Sequence, residues 1–200
     1  KIDVYIHWTF WLLPLFVAIS SPGPGMMLHL ALALATFGCV LLHEYGHAMQ
    51  DSQMTPFGFG TSVEAGSIGE GFGDYWAVTV SNVIAPTADP ACVADWDSIS
   101  YTSTTPHCLR RVDSNLHYPG DLNGEVHHDG KIWSRALWDI RTALGNVKAD
   151  TIILEAQFSF APDTSMPAAA QVTVDTAKSL YGKTVAKKVL AAFQARGILP

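Results

Sequence analysis

Residues 43–51 read HEYGHAMQD, and residues 64–77 read EAGSIGEGFGDYWA. The first segment places His43 and His47 four positions apart, so on a helix both imidazoles lie on one face and can reach one metal ion. Glu44, beside the first histidine, can then reach a water on that metal. The segment alone also fits a pair of surface histidines on a helix, so a third ligand is needed to decide between the two readings.

Glu70, in the second segment, is the predicted third ligand, because a second helix can return antiparallel to the first and carry it back to the histidines. Asp74 stands one helical turn later on the same face, where it can accept the free ring N–H of a histidine ligand and fix its tautomer. We therefore predict zinc bound by His43, His47 and Glu70. Glu44 is the predicted general base, taking the proton of the zinc-activated water.

Together the two segments resemble the thermolysin and fungalysin class of gluzincin metallopeptidases, and most closely the fungalysin side with its GEG-aromatic-GD motif. The resemblance covers residues 43–199. It implies a zinc-dependent endopeptidase that acts outside the cytoplasm, with a helical lobe that carries the second half of the site. It also implies a peptide or protein substrate.

The resemblance implies roles for two further residues. The segment NGEVHHDG resembles the one whose histidine hydrogen-bonds the tetrahedral intermediate, which makes His127 that donor. The segment LRR resembles the one whose arginine binds the substrate carbonyl, which points to Arg110. The sequence alone does not choose between His127 and the adjacent His128, or between Arg110 and Arg111.

One departure from the family concerns a second donor to the intermediate. The family places a tyrosine shortly before the glutamate ligand, whereas no tyrosine lies between His47 and Glu70 here. Only Thr61 and Ser62 lie near the expected place. A zinc-binding but catalytically incomplete pseudo-peptidase is therefore the alternative function.

The N-terminal segment is unusually apolar. Between Asp3 and Glu44 there is no Asp, Glu, Lys or Arg, and apolar runs at residues 8–19 and 26–42 are separated by SSPGPG, a turn signal. A membrane-spanning helix needs about 17–25 apolar residues, which the second run just reaches. We predict an apolar helical hairpin that associates with a membrane through residues 8–42, with a buried core helix as the alternative.

A second resemblance belongs to residues 1–47. The stretches VYIHWTFWLLPLF and ATFGCVLLHE resemble the first membrane segments of site-two intramembrane proteases, but the NPDG-like motif that completes the zinc site of those enzymes is missing. An intramembrane protease is therefore a less favoured function. Nothing before His43 resembles the sheet-rich lobe of thermolysin-like enzymes, so we interpret the chain as a composite or fragment in which that lobe is absent.

Apolar periodicity and breaker residues predict a mainly α-helical fold with long irregular loops. The predicted helices span residues 26–50, 66–82, 126–144, 167–182 and 183–196. Residues 152–160 fit either a helix or a strand, and residues 85–122 read as a long loop. Two domains are expected, an anchor-like segment at 1–42 and a metallopeptidase helical domain at 43–200.

The net charge and the cysteines indicate which partners and which cellular compartment the sequence favours. The net charge of −6 argues against a nucleic-acid partner, which would call for a basic face. Cys92 and Cys108 could close a loop in an oxidising compartment or remain free, because the sequence does not give their geometry. We predict a membrane-anchored protein with an extracytoplasmic catalytic part, or alternatively a secreted one.

Overall fold

The computed structural model describes residues 41–53, 62–84, 86, 88–94, 103, 105 and 107–200. Over this part of the chain the fold is mainly helical, as predicted. The first described segment, 41–53, is helical throughout and is called α1. The elements that follow are α2 (Val63–Ile84), β1 (Cys92–Val93), β2 (Arg110–Arg111), α3 (Val126–Leu144), α4 (Asn146–Gln157), α5 (Met166–Tyr181) and α6 (Lys183–Ala195).

Capping residues set the helix boundaries. The Ser62 hydroxyl accepts the backbone N–H of Ala65 at 3.1 Å, so α2 begins earlier than the predicted residue 66. At the other end of the chain, Gly182 separates α5 from α6 with a φ of 81°, a conformation that costs glycine little. The ambiguous stretch 152–160 is helical as far as Gln157, within α4.

The packing of α2 against α3 places the site. A Cβ atom on Gly71 would collide with the carbonyl oxygen of Gly130, and one on Gly130 would lie 2.9 Å from the carbonyl oxygen of Ser67. The two helix backbones therefore approach as closely as only glycine permits. Because a Cβ on Gly130 would also lie 3.1 Å from the Cβ of Glu70, the start of α3 lies directly beside this predicted ligand.

The main hydrophobic core lies on the other side of this helix pair. It joins α2 and α3 to α4, α5 and α6. Trp133 of α3 is 2% exposed, and its ring centroid lies 5.3 Å from that of Phe193 and 6.4 Å from that of Phe160. The C-terminal helices thus pack against the two helices that carry Glu70 and His127.

The loop predicted at residues 85–122 contains a short element that the sequence did not indicate. Strands β1 and β2 pair antiparallel, with Val93 opposite Arg110, and a disulfide bond joins Cys92 to Cys108 across 5.4 Å between Cα atoms. Val93 and Val112 pack with Ala77 and Val78 of α2 in a second, smaller core. This arrangement places the strand pair beside the C-terminal half of α2.

The predicted N-terminal hairpin falls almost wholly outside the described residues, since these begin at residue 41. The predicted helix at 26–50 is helical over its described part and continues to residue 53. Among the described helices, none combines the length and the apolar character needed to cross a bilayer.

Candidate metal centre

Helices α1 and α2 bring the three predicted ligands together. The Nε2 atoms of His43 and His47 lie 3.2 Å apart, and Oε2 of Glu70 lies 3.1 Å from Nε2 of His43. The other carboxylate oxygen of Glu70 lies 3.7 Å from Nε2 of His47. Both histidines are buried, at 8% and 7% exposure, so their nitrogens converge at a point largely shielded from water.

This donor set fits zinc. Tetrahedral zinc with bonds near 2.0–2.1 Å places neighbouring ligand atoms about 3.3 Å apart, and the observed separations of 3.1–3.7 Å straddle that value. Two imidazoles and one carboxylate also leave a position for water or substrate. Among the described residues, the other group of potential ligands is Asp89 with Cys92 and Cys108, whose sulfurs are joined in the disulfide.

Glycines on α2 make room for the His43 ring. A Cβ atom on Gly73 would lie 2.8 Å from two atoms of that ring, and a Cβ on Gly46 would lie 3.1 Å from the Cα of Gly73. Gly73 of the GEGFGD segment therefore has a steric reason: α1 crosses α2 at Gly46 and Gly73, and the imidazole packs directly against the backbone.

Asp74, the residue predicted to accept a hydrogen bond from a histidine ligand, lies behind His43. Its Oδ1 atom lies 3.0 Å from Nδ1 of His43, and its side chain is only 2% exposed. The contact that the sequence analysis missed comes from Arg110, which donates from Nε to Oδ2 at 2.6 Å and from Nη2 to Oδ1 at 2.7 Å. The pairing spans 36 positions of the chain, so no local pattern could have indicated it.

The neighbouring arginine points elsewhere. Arg111 donates to Asp89 at 2.6 Å and to Asp113 at 2.7 Å, in a half-exposed network beside the disulfide. Of the two candidates, Arg110 is therefore the one that contacts Asp74 and lines the cavity beside the three candidate ligands.

The ionisable groups of the cluster shift one another's pKa values. Burial lowers the pKa of His43, but the hydrogen bonds with Asp74 and Glu70 outweigh it and raise that pKa to about 9. Burial would raise the pKa of both carboxyl groups, yet their contacts with His43 leave each one lowered. For His47, burial and the nearby charge on His43 lower the pKa. A proton on His43 therefore stabilises the metal-free arrangement.

A cavity of about 190 Å³ opens beside the ligands. It is lined by His43, Glu44, Val93, Ala94, Leu109, Arg110 and His127. Glu44, Arg110 and His127, the three residues predicted to act on the substrate, all line this cavity. Glu44 is exposed and His127 is half exposed. The adjacent His128 has its Nδ1 atom 3.1 Å from Asp129 and is not among the lining residues.

Glu125 is a further residue of the site that the sequence analysis did not identify. Its Oε1 atom lies 2.6 Å from Nδ1 of His127, and the opposite ring nitrogen of that histidine lies 3.3 Å from Oε2 of Glu70. The backbone N–H of His127, with the ring contact and the N–H of His128, lowers the pKa of Glu125 to about 2. The signal in the sequence was an acidic residue immediately before a predicted helix start.

A comparison with protein families identifies one that the chain resembles over most of its length. The family model described as fungalysin metallopeptidase (M36) matches residues 37–189, a range that contains the ligands, Glu44, Asp74, Arg110 and His127. No curated protein matches the chain. Residues 1–36 lie outside the family match, and the resemblance of the N-terminal segment to site-two proteases stays a prediction.

Proposed function

Because the chain belongs to the fungalysin family of zinc metallopeptidases, which hydrolyse peptide bonds, we propose that it is an endopeptidase whose zinc is held by His43, His47 and Glu70. The observation that carries this proposal is the convergence of three ligand atoms at tetrahedral spacing. At this position zinc would supply Lewis-acid chemistry: it would polarise a carbonyl group and lower the pKa of a bound water molecule toward about 7.

The protein's own groups have distinct tasks in the proposed reaction. Glu44 accepts the proton of the attacking water from its exposed position on the cavity wall. His127 donates a hydrogen bond to the oxygen on which negative charge develops, a contribution worth about 10²–10³ in rate in other enzymes. Both side chains line the same cavity, which supports their acting on one substrate bond.

Arg110 has a double task in this proposal. Its Nε and Nη2 atoms hold Asp74, while Nη1 takes part in neither bond and has hydrogens to donate to a substrate carbonyl. Asp74 in turn orients His43. The same guanidinium group thus connects substrate binding to the position of a metal ligand.

The cavity also indicates what kind of side chain the substrate presents. Val93, Ala94 and Leu109 give it an apolar wall, and a volume of about 190 Å³ admits a single side chain. We expect cleavage next to an apolar residue, since burying one there removes apolar surface from water on both sides.

The disulfide supports a location outside the cytoplasm. Such bonds persist in oxidising compartments, and Cys92–Cys108 lies beside the strand pair that carries Arg110. We therefore propose a catalytic domain at residues 43–200 that works outside the cytoplasm, in a secreted protein.

Cleavage of an internally quenched peptide library tests the proposal. We expect the zinc-loaded chain to cleave it, chelation to stop cleavage, and added zinc to restore it. Glu70→Gln should lose both stoichiometric zinc and cleavage, whereas Glu155→Gln, at an exposed position of α4, should keep both. Cleavage that survives chelation or the loss of Glu70 would contradict the proposed mechanism.

The second candidate is a zinc-binding pseudo-peptidase. It is favoured by the lack of any tyrosine between His47 and Glu70, which removes a donor that the family resemblance leads one to expect. Stoichiometric zinc in a folded chain that cleaves no member of the library would support this candidate over the first.

A further inference from the structure

The N-terminus of α3 is capped by an unusual residue. Glu125 accepts the backbone N–H of His127 at 2.9 Å with Oε1 and that of His128 at 2.8 Å with Oε2. The side chains generally preferred at this position are Asn, Asp, Ser and Thr, which are shorter. Capping alone therefore does not explain a glutamate here.

The longer side chain of Glu125 also reaches the ring of His127. The oxygen that accepts the backbone N–H of His127 also lies 2.6 Å from Nδ1 of the same residue's ring. The carboxylate thus holds both the backbone and the side chain of His127, although that side chain is 48% exposed. An exposed imidazole without such a contact would exchange among rotamers.

The held orientation is the one that the reaction needs. With Nδ1 on Glu125, the opposite nitrogen, Nε2, lies 3.3 Å from Oε2 of Glu70 and therefore at the metal centre. A preorganised donor acts without having to be ordered during the reaction.

We propose that Glu125 is a positioning residue for peptide hydrolysis, which fixes the His127 ring with Nε2 directed at the metal centre. This inference rests on the proposed function, in which His127 stabilises the developing charge. One carboxylate therefore both caps α3 and contacts the ring of His127.

The test separates the two tasks of Glu125. Asparagine is a favoured cap but is one carbon shorter, so Glu125→Asn is expected to keep the melting temperature and the bound zinc. With the zinc-loaded chain and a quenched peptide, we expect kcat to fall about 10- to 100-fold while KM stays unchanged. Glu125→Ser, another favoured cap, serves as the second variant if asparagine destabilises the fold.

A double-mutant cycle with His127→Ala shows whether the effect passes through the ring. We expect His127→Ala to lower kcat by about 10²–10³, and Glu125→Asn to have no further effect in that background. An equal effect of Glu125→Asn in both backgrounds, or no effect in the wild type, would overturn the positioning role while leaving the proposed function intact. An unchanged kcat in His127→Ala would overturn the role of His127 and the positioning role with it.

An NMR measurement needs no catalysis and so remains informative if the chain proves inactive. In ¹⁵N-labelled protein, Glu125→Asn should shift the Nδ1 resonance of His127. The ring of His117, which lies 3.8 Å from Asp121, should be unchanged. An unchanged His127 resonance would contradict the contact on which the inference depends.

Discussion

Arg110 of β2 holds Asp74 of α2 by two hydrogen bonds of 2.6 and 2.7 Å, and Asp74 lies 3.0 Å from the ring of His43. A proposed metal ligand on one helix is therefore in contact with a carboxylate that is held by a two-residue strand far away in sequence. Because Asp74 is almost fully buried, its charge depends on both partners for compensation.

Replacing Arg110 by lysine should weaken zinc binding. Lysine offers a point charge and cannot reproduce the paired donation from Nε and Nη2, so Asp74 should lose its fixed orientation. Loss of such an outer partner typically costs about 10- to 100-fold in metal affinity. Competition with a fluorescent chelator measures it, with Arg111→Lys as the matched control. Equal zinc affinities in the two variants would contradict this role of Arg110.

Adding a methyl group at Gly73 should displace His43. Its Cβ would lie 2.8 Å from the ring, so the imidazole or the helix crossing must shift. We expect Gly73→Ala to lower zinc affinity by about tenfold or more, as measured by the same competition. Gly120→Ala is the control, because a Cβ there meets nothing within 4 Å. Normal zinc binding by Gly73→Ala would show that the close contact is unimportant.

Removing the disulfide should affect both stability and the metal centre. Cross-links that close a loop of about 15 residues contribute about 3 kcal/mol in the chain-entropy model, so we expect a loss of this order in the free energy of unfolding for Cys92→Ser/Cys108→Ser. Zinc affinity should also fall, since the linked strands carry Arg110.

Urea unfolding and chelator competition measure these two effects. A reducing agent should lower both the free energy of unfolding and the zinc affinity of the wild-type chain. It should change neither quantity in the double variant. A reduced wild-type chain with unaltered stability would rule out this contribution of the disulfide.

Stability of the metal-free protein should depend on pH through His43. Its pKa in the folded state is about 9, above the ordinary value of 6.5, so the protonated ring stabilises the fold fully below pH 6.5. This contribution is lost as pH rises through about 9. Urea unfolding of chelator-treated protein at pH 6.5 and 9.5 should show a larger decrease in wild type than in His43→Asn. Equal decreases in the free energy of unfolding for the two proteins would show that the pH dependence does not come from His43.

The sequence predicted the fold best where periodicity and breakers agreed. Helix α3 has the predicted bounds, and α5 and α6 differ from prediction only at their ends, because glycine and capping residues mark them. The stretch 152–160 stayed ambiguous, since a short apolar run fits a helix or a strand equally well. Strands of two residues leave no periodic signal at all.

For the candidate site, the sequence predicted the groups but not what holds them. The spacing of His43 and His47 follows from helix geometry, and the ligand atoms converge as that geometry requires. The bond from Arg110 to Asp74 joins distant segments, and the contact of Glu125 with His127 depends on a rotamer. Neither leaves a pattern along the chain. The disulfide likewise depended on a Cα separation that only the structure gives.

The most direct test of the central claim is the rate of peptide cleavage by Glu44→Gln, compared with wild type at equal zinc content. Glutamine has nearly the same shape but cannot act as a base, and Glu44 is not among the converging ligands. We predict stoichiometric zinc in the variant and a loss of chelator-sensitive cleavage, with Glu155→Gln cleaving as wild type does. Cleavage by Glu44→Gln at the wild-type rate would contradict the account.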